Sequence, residues 1–307
     1  MDLTITKLAV YLSIFVIVSC SQAEQHVPLQ HQGEQKQFSE DNNFIAYLSS
    51  QKLPANLSFC NEVVPIDVSE VKERAEREFL LNLQQPAQLL LNLKRSGRYF
   101  GIISTILKEN NVPDDMKYLV VAESALYQAR STKDAVGLWQ FIEPTAKRYG
   151  LRVDEFVDER KHVIKSTRAA IQYLKDAYAR LGSWSLAAAG YNMGTDGVID
   201  NVEFQGQKSY YDLYLNEETS RYLLRIAIIK ELMSNASKYG IDVSTVEYYS
   251  PVSTKFIRVE TPIDNLTTWA KENGNTYKDI KILNPWILKR SLPKPSKGST
   301  WEVIVPN

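Results

Sequence analysis

The sequence predicts a mainly α-helical protein that closes with a small β-α-α-β segment, and three observations carry that prediction. From Val68 to Leu232 most segments place apolar residues three or four apart with charged residues between them, the period of a helical face. Past Pro251 the pattern changes to two strand-like runs, Lys255–Val259 and Trp301–Val305, around two short helical ones, Asp264–Glu272 and Thr276–Leu283. Residues 21–45 are rich in Gln, Glu, His and Asn and carry few apolar residues. At 307 residues, 44% of them hydrophobic, the chain is long enough to bury a sizeable core.

Residues 1–20 carry Lys7, an apolar run from Leu8 to Val18, and Ser19-Cys20. The run falls short of the roughly 20 apolar residues that span a bilayer and suits the core of a signal peptide. Ile17-Val18-Ser19-Cys20 resembles a bacterial lipobox, which implies lipidation at Cys20 and a membrane anchor; a plain signal peptide or an uncleaved anchor is the alternative. Ser21 after the cysteine, where Asp would mark retention, points to the outer membrane. Residues 21–60 read as a flexible tether, polar through residue 45. Cys60 then has no partner for an intramolecular disulfide and is expected as a small buried hydrophobe.

Val68, Val71, Ala75, Phe79 and Leu83 predict a first long helix, and Pro86 opens a second that runs to Leu107 before Asn110-Asn111 breaks it. Pro113-Asp114-Asp115 then starts a helix in which Met116, Leu119, Val120 and Glu123 share one face. A carboxylate on that stripe is costly to ionise, so its pKa should rise and its acid form persist towards neutrality. Such a group suits proton donation to a leaving oxygen; a structural ion pair with an arginine is the other reading. Asp134, in the polar loop from Ala129 to Val136, reads as a solvated residue, and Asp158 with Arg160 as a charged turn. Gly137 would let backbone approach a ligand closely, Gln140 offers an amide to sugar hydroxyl or acetamido groups, and Trp139 either stacks on a sugar or packs in the core. Ser166 is the expected cap of the next helix. Ala187-Ala188-Ala189-Gly190 predicts a central buried helix with Tyr191-Asn192 at its end. Gly194–Gln207 reads as a glycine-bearing loop, and Glu218-Thr219 begins a last long helix through Tyr222 to Leu232.

Lys+Arg and Asp+Glu are both 36, so no electrostatic footprint for nucleic acid is present. Three scattered histidines and two distant cysteines make no metal-ligand spacing, and no glycine-rich phosphate loop occurs. No cofactor is expected, and no pattern sets an oligomeric state.

Glu123-Ser124, Gly137-Leu138-Trp139-Gln140, Ala188-Ala189-Gly190-Tyr191-Asn192 and Glu218-Thr219 with Tyr222 resemble, in this order, the lytic transglycosylases of the goose-type lysozyme superfamily. The Gly-Leu-Trp-Gln form is that of the membrane-bound lytic murein transglycosylase D branch, and Gly190 departs from the usual Ala of the third block. The resemblance implies a lysozyme-like helical catalytic domain over residues 61–250 and a peptidoglycan glycan strand as partner. It implies Glu123 as catalytic acid and then base, with Ser124, Gly137, Gln140, Tyr191, Asn192, Glu218 and Tyr222 around the substrate. The reaction implied is cleavage between N-acetylmuramic acid and N-acetylglucosamine with a 1,6-anhydro end. A goose-type hydrolase and a non-catalytic wall-binding lipoprotein are the alternatives. Residues 251–307 resemble a degenerate lysin motif (LysM), with Thr261-Pro262 in place of its glycine-aspartate start; glycan binding and scaffolding both remain open for it. The location implied is the bacterial envelope, facing the periplasm.

Overall fold

The stripe at Val71, Ala75, Phe79 and Leu83 becomes α1 (Ser69–Leu83), which buries all four side chains. The computed structural model describes residues 43–307, of which 47–307 belong to one unit. The expected signal peptide with Cys20 and residues 21–42 of the expected tether lie outside the described residues. A hairpin of β1 (Ser58–Phe59) and β2 (Glu62–Val63) precedes α1 and turns through Cys60 and Asn61, both at positive φ. Cys60 is buried, as a small hydrophobe would be.

Pro86 takes the first position of α2 (Pro86–Glu109), where a missing N–H leaves no bond unmade. Asn111, at φ 56°, turns the chain into a 3-10 turn over Asp114–Met116 and then α3 (Lys117–Ser124). The acidic start of α3 is also a tertiary anchor, because Asp115 Oδ2 accepts from Lys230 Nζ at 2.7 Å and from the Cys60 N–H at 2.7 Å. The short α4 (Glu143–Arg148) follows the loop after α3.

Two segments depart from the sequence reading. Helix α5 (Val163–Leu181) is capped by His162, whose Nδ1 accepts from the Lys165 N–H at 3.4 Å; Ser166 lies inside the first turn and donates back to His162 O at 2.8 Å. The stretch read as a loop, Gly194–Gln207, is mostly helix α7 (Thr195–Gln205). Its glycines are end-stops, Gly194 at φ 91° and Gly206 at φ 66°, while Val198 and Val202 give the helix an apolar side.

Between these lies α6 (Trp184–Met193), with Ala187 to Gly190 buried as expected. Its start is fixed from afar: Glu62 accepts from the Trp184 N–H at 2.7 Å, the Ser185 N–H at 3.1 Å and Ser183 Oγ at 2.9 Å. A carboxylate there satisfies free helix-end N–H groups. Gly190 lies close to Thr195 at the start of α7, where a Cβ would stand about 3.2–3.3 Å from it. Helix α8 (Glu217–Ser234), capped by Asn216, shares the central role with α6 and packs on α1, α3 and α6.

In the tail, β3 (Thr254–Val259) pairs antiparallel with β4 (Trp301–Pro306) around α9 (Leu266–Glu272) and α10 (Tyr277–Leu283). Asn284, fully buried, fastens β4 by donating to Ile304 O at 2.6 Å and accepting from the Ile304 N–H at 2.8 Å. The tail has its own hydrophobic cluster, but Val157, from the loop before α5, belongs to it. Backbone bonds from Asp158 N–H to Trp286 O and from Leu288 N–H to Phe156 O, both 2.8 Å, join that loop to the tail. Among the described residues no helix is long and apolar enough to cross a membrane.

Candidate active site

Glu123 occupies the last turn of α3. The helix stops there because Ala125 (φ 51°) and Leu126 (φ 55°) adopt left-handed backbone, a strained state for side chains with a Cβ. Arg95 of α2 supports the turn, donating to Ala125 O at 3.0 Å. Ser124 is buried and donates to Leu138 O at 2.7 Å, so it latches the end of α3 to the Gly137–Phe141 segment.

The Glu123 carboxylate accepts a hydrogen bond from the Tyr222 hydroxyl of α8. Burial pushes the carboxyl up to about 7; the Tyr222 hydrogen bond and the Arg225 charge oppose that rise and Glu218 adds to it. A carboxyl poised near neutrality can both give and take a proton. Tyr191 of α6 donates to Trp139 O at 2.7 Å and packs edge-on against Trp139, Phe141 and Tyr173. Burial, with the Glu123 charge nearby, holds its phenol well above the ordinary range.

Asn192 Oδ1 accepts from Thr219 Oγ1 at 2.7 Å, which ties the end of α6 to the start of α8; no internal bond of the described residues engages its Nδ2. Gln140, at φ 50°, spends its Nε2 within the loop on Gly137 O at 2.7 Å and Ala129 O at 3.2 Å. Its Oε1 is left to face other groups. Gly137 sits at φ 87°, and a Cβ there would collide with the Arg160 carbonyl. The close approach it permits is therefore to protein backbone, whereas the sequence reading aimed it at a ligand. Trp139 is fully buried, its Nε1 donating to Thr167 Oγ1 at 2.9 Å, so it packs in the core.

The other acids are committed elsewhere. Asp134 pairs with Arg130 at 2.6 Å on an exposed loop. Asp158 holds Arg160 through two bonds of 2.9 and 2.8 Å, and Arg160 in turn donates to Asp134 O and Phe141 O, shaping the loop below the site. Glu218, with a side chain 55% exposed, accepts from Arg225 Nη1 at 3.1 Å. The structure thus gathers Glu123, Tyr222 and Tyr191 into one electrostatic group. It sets Ser124 and Gly137 behind them as supports, and Glu218 at the rim through Arg225.

Sequence reasoning missed Glu78. Its carboxylate, 3% exposed, takes Arg225 Nε at 3.1 Å from α8. A signal for it existed: Val71, Ala75 and Glu78 stand at i, i+4 and i+7, the same test that singled out Glu123. An apolar cavity of about 380 Å³, lined in part by Tyr99, His162, Phe256 and Trp286, lies between α2 and the tail and contains none of the residues around Glu123.

Residues 101–213 match the family described as transglycosylase SLT domain, and residues 255–307 the soluble lytic transglycosylase C-terminal LysM-like domain. The chain is 25% identical over 305 residues to membrane-bound lytic murein transglycosylase D of Escherichia coli strain K12, covering 95% of this chain and 65% of that protein. The protein of the same name from Escherichia coli O6:H1 gives the same values. A putative tributyltin chloride resistance protein of an Alteromonas species is 33% identical over 107 residues, 34% of this chain and 52% of that one. The chain thus spans about 65% of the length of its two full-chain relatives.

Proposed function

We propose that this chain, which carries a transglycosylase SLT domain followed by a LysM-like domain, is a peptidoglycan lytic transglycosylase with Glu123 as its one acid–base catalyst. The observation that carries the reading is the half-buried Glu123 carboxyl, which accepts from the Tyr222 hydroxyl and is pushed up to about 7. Protonated Glu123 donates to the glycosidic oxygen between N-acetylmuramic acid and N-acetylglucosamine as an oxocarbenium-like centre develops. The carboxylate so formed, held by Tyr222, then takes the proton of the muramyl C6 hydroxyl. That oxygen attacks the anomeric carbon, closes a 1,6-anhydro ring, and returns Glu123 to its acid form. Asn192 Nδ2 and Gln140 Oε1, which no side-chain bond among the described residues engages, would orient the acetamido and hydroxyl groups of the sugar. Tyr191 and Ser124 fix the backbone around it.

A hydrolase reading has one observation in its favour, the influence of Glu218 on Glu123. Glu218 would be the second carboxylate that activates water, yet Arg225 and Arg221 both engage it. The test of catalysis itself is Glu123→Gln, which keeps shape and removes the proton: cleavage of isolated sacculi should be lost. Activity within about tenfold of wild type in a folded variant would remove Glu123 from the chemistry.

The same reading places the enzyme in the bacterial envelope, held by lipid on Cys20 at the outer membrane and facing the periplasm. The lipobox-like sequence supports this, as does the membrane-bound relative. Fatty-acid labelling should mark the full chain and not Cys20→Ala. For the tail, glycan binding is the reading its LysM-like match favours.

A further inference from the structure

Around Tyr222 the face of α8 carries two arginines, Arg221 and Arg225, at the positions just before it and one turn after it. Both reach Glu78 of α1: Arg225 Nε lies 3.1 Å from Oε2 and Arg221 Nε 3.7 Å from Oε1. Arg77 Nη1 approaches the same carboxylate at 3.2 Å. Arg225 continues to Glu218 at 3.1 Å, and Arg221 lies 3.9 Å from it. Glu78 is thus the buried end of a chain of charges whose other end, Glu218, stands at the rim. Nothing in the reaction proposed above uses Glu78, and burying a carboxylate this deeply is costly unless it answers a buried cation.

We infer that Glu78 is a positioning residue for the catalytic centre: its carboxylate neutralises Arg225 and, together with Glu218, holds that guanidinium, so that Glu123 keeps Tyr222 as its direct polar partner. Without Glu78, Arg225 would stand one turn from Tyr222 as a partly buried cation with one remaining carboxylate at the rim. Its charge, balanced by Glu218 alone, would favour the ionised form of Glu123 more strongly than it does with Glu78 in place. Glu123 would then be held as a carboxylate and would fail as an acid. The other titratable or charged groups facing Glu123 are Tyr222 and Glu218 from α8 and Tyr191 from α6. From α2, Arg95 binds the Ala125 carbonyl.

The inference rests on Glu123 being the proton donor for its catalytic meaning, but its electrostatic core can be tested without any turnover. Carbon-13 NMR titration of the Glu123 side-chain carboxyl, assigned by its loss in Glu123→Gln, reads the effect directly. In Glu78→Gln the titration midpoint should fall by about one pH unit, and in Arg225→Gln it should rise. The double variant should return towards wild type. A side chain that merely held α1 to α8 would alter thermal stability without moving that midpoint in opposite directions. An unchanged midpoint in folded Glu78→Gln overturns the inference. Should that variant not fold, an unchanged midpoint in Arg225→Gln does so instead. The alkaline limb of sacculus cleavage should follow the same shifts. Wild type that titrates as expected yet cleaves nothing would instead overturn the proposed activity and leave the role of Glu78 standing.

Discussion

Glu123 is held where its own charge is disfavoured, and this has consequences for stability as well as chemistry. Its carboxyl is raised from 4.5 to about 7, so between those values the folded chain holds a proton that the unfolded chain releases. Stability contributed by this group is therefore lost as pH rises through that window, by about 3 kcal/mol once both states are ionised. Glu123→Gln should melt at a higher temperature than wild type above pH 7 and close to it in acid. Melting curves that coincide at all pH values would contradict the burial argument. Tyr222→Phe removes the hydroxyl that stabilises the charged form, so Glu123 should titrate still higher and the alkaline limb of activity should move up. Cleavage should slow by roughly ten- to a hundredfold, the worth of a hydrogen bond to a charged group. At this scale Glu123 was legible in the sequence because spacing alone put a carboxylate on an apolar stripe. Its partner Tyr222, 99 positions away, was legible only through resemblance. That Ser124 and Gly137 support backbone was not legible, because their contacts depend on the path of a loop.

At the level of elements, the site depends on how the segment after α3 is folded back on itself. Gly137 is pinned between Ala129, whose carbonyl accepts from its N–H at 2.9 Å, and the Arg160 carbonyl, which leaves no room for a Cβ. Gly137→Ala combines that collision with a positive φ and should cost about 3 kcal/mol. Equilibrium denaturation measures it, and a midpoint equal to wild type would mean that the loop yields freely. Helices with a long apolar stripe, α1, α2 and α8, were readable from period alone. Helix α7 was not, because three glycines in 13 residues read as loop when two of them only bound it. The cap of α5 was misread for a related reason: serine is the commoner cap, and His162 took the position one turn earlier.

Across the whole molecule, the break at Pro251 and the β-α-α-β order of the tail could be read from composition, but its docking could not. The docking runs through backbone bonds at Asp158 and Phe156, through Val157, and through the His162 ring stacked on Trp286 at 5.7 Å, none of which leaves a periodic pattern. A chain ended before Pro251 should therefore melt several degrees below the full chain, because Val157 and His162 lose their cover. Equal melting temperatures would show the tail to be an independent appendage. What sets a lytic transglycosylase apart from a hydrolase is what its catalytic carboxylate does after giving up its proton. Mass analysis of the muropeptides released from isolated sacculi by the full chain decides this. Products one water lighter than hydrolysis products, and resistant to borohydride reduction, are the predicted result. Predominantly reducing muropeptides would contradict it and make Glu218 the carboxylate that activates water.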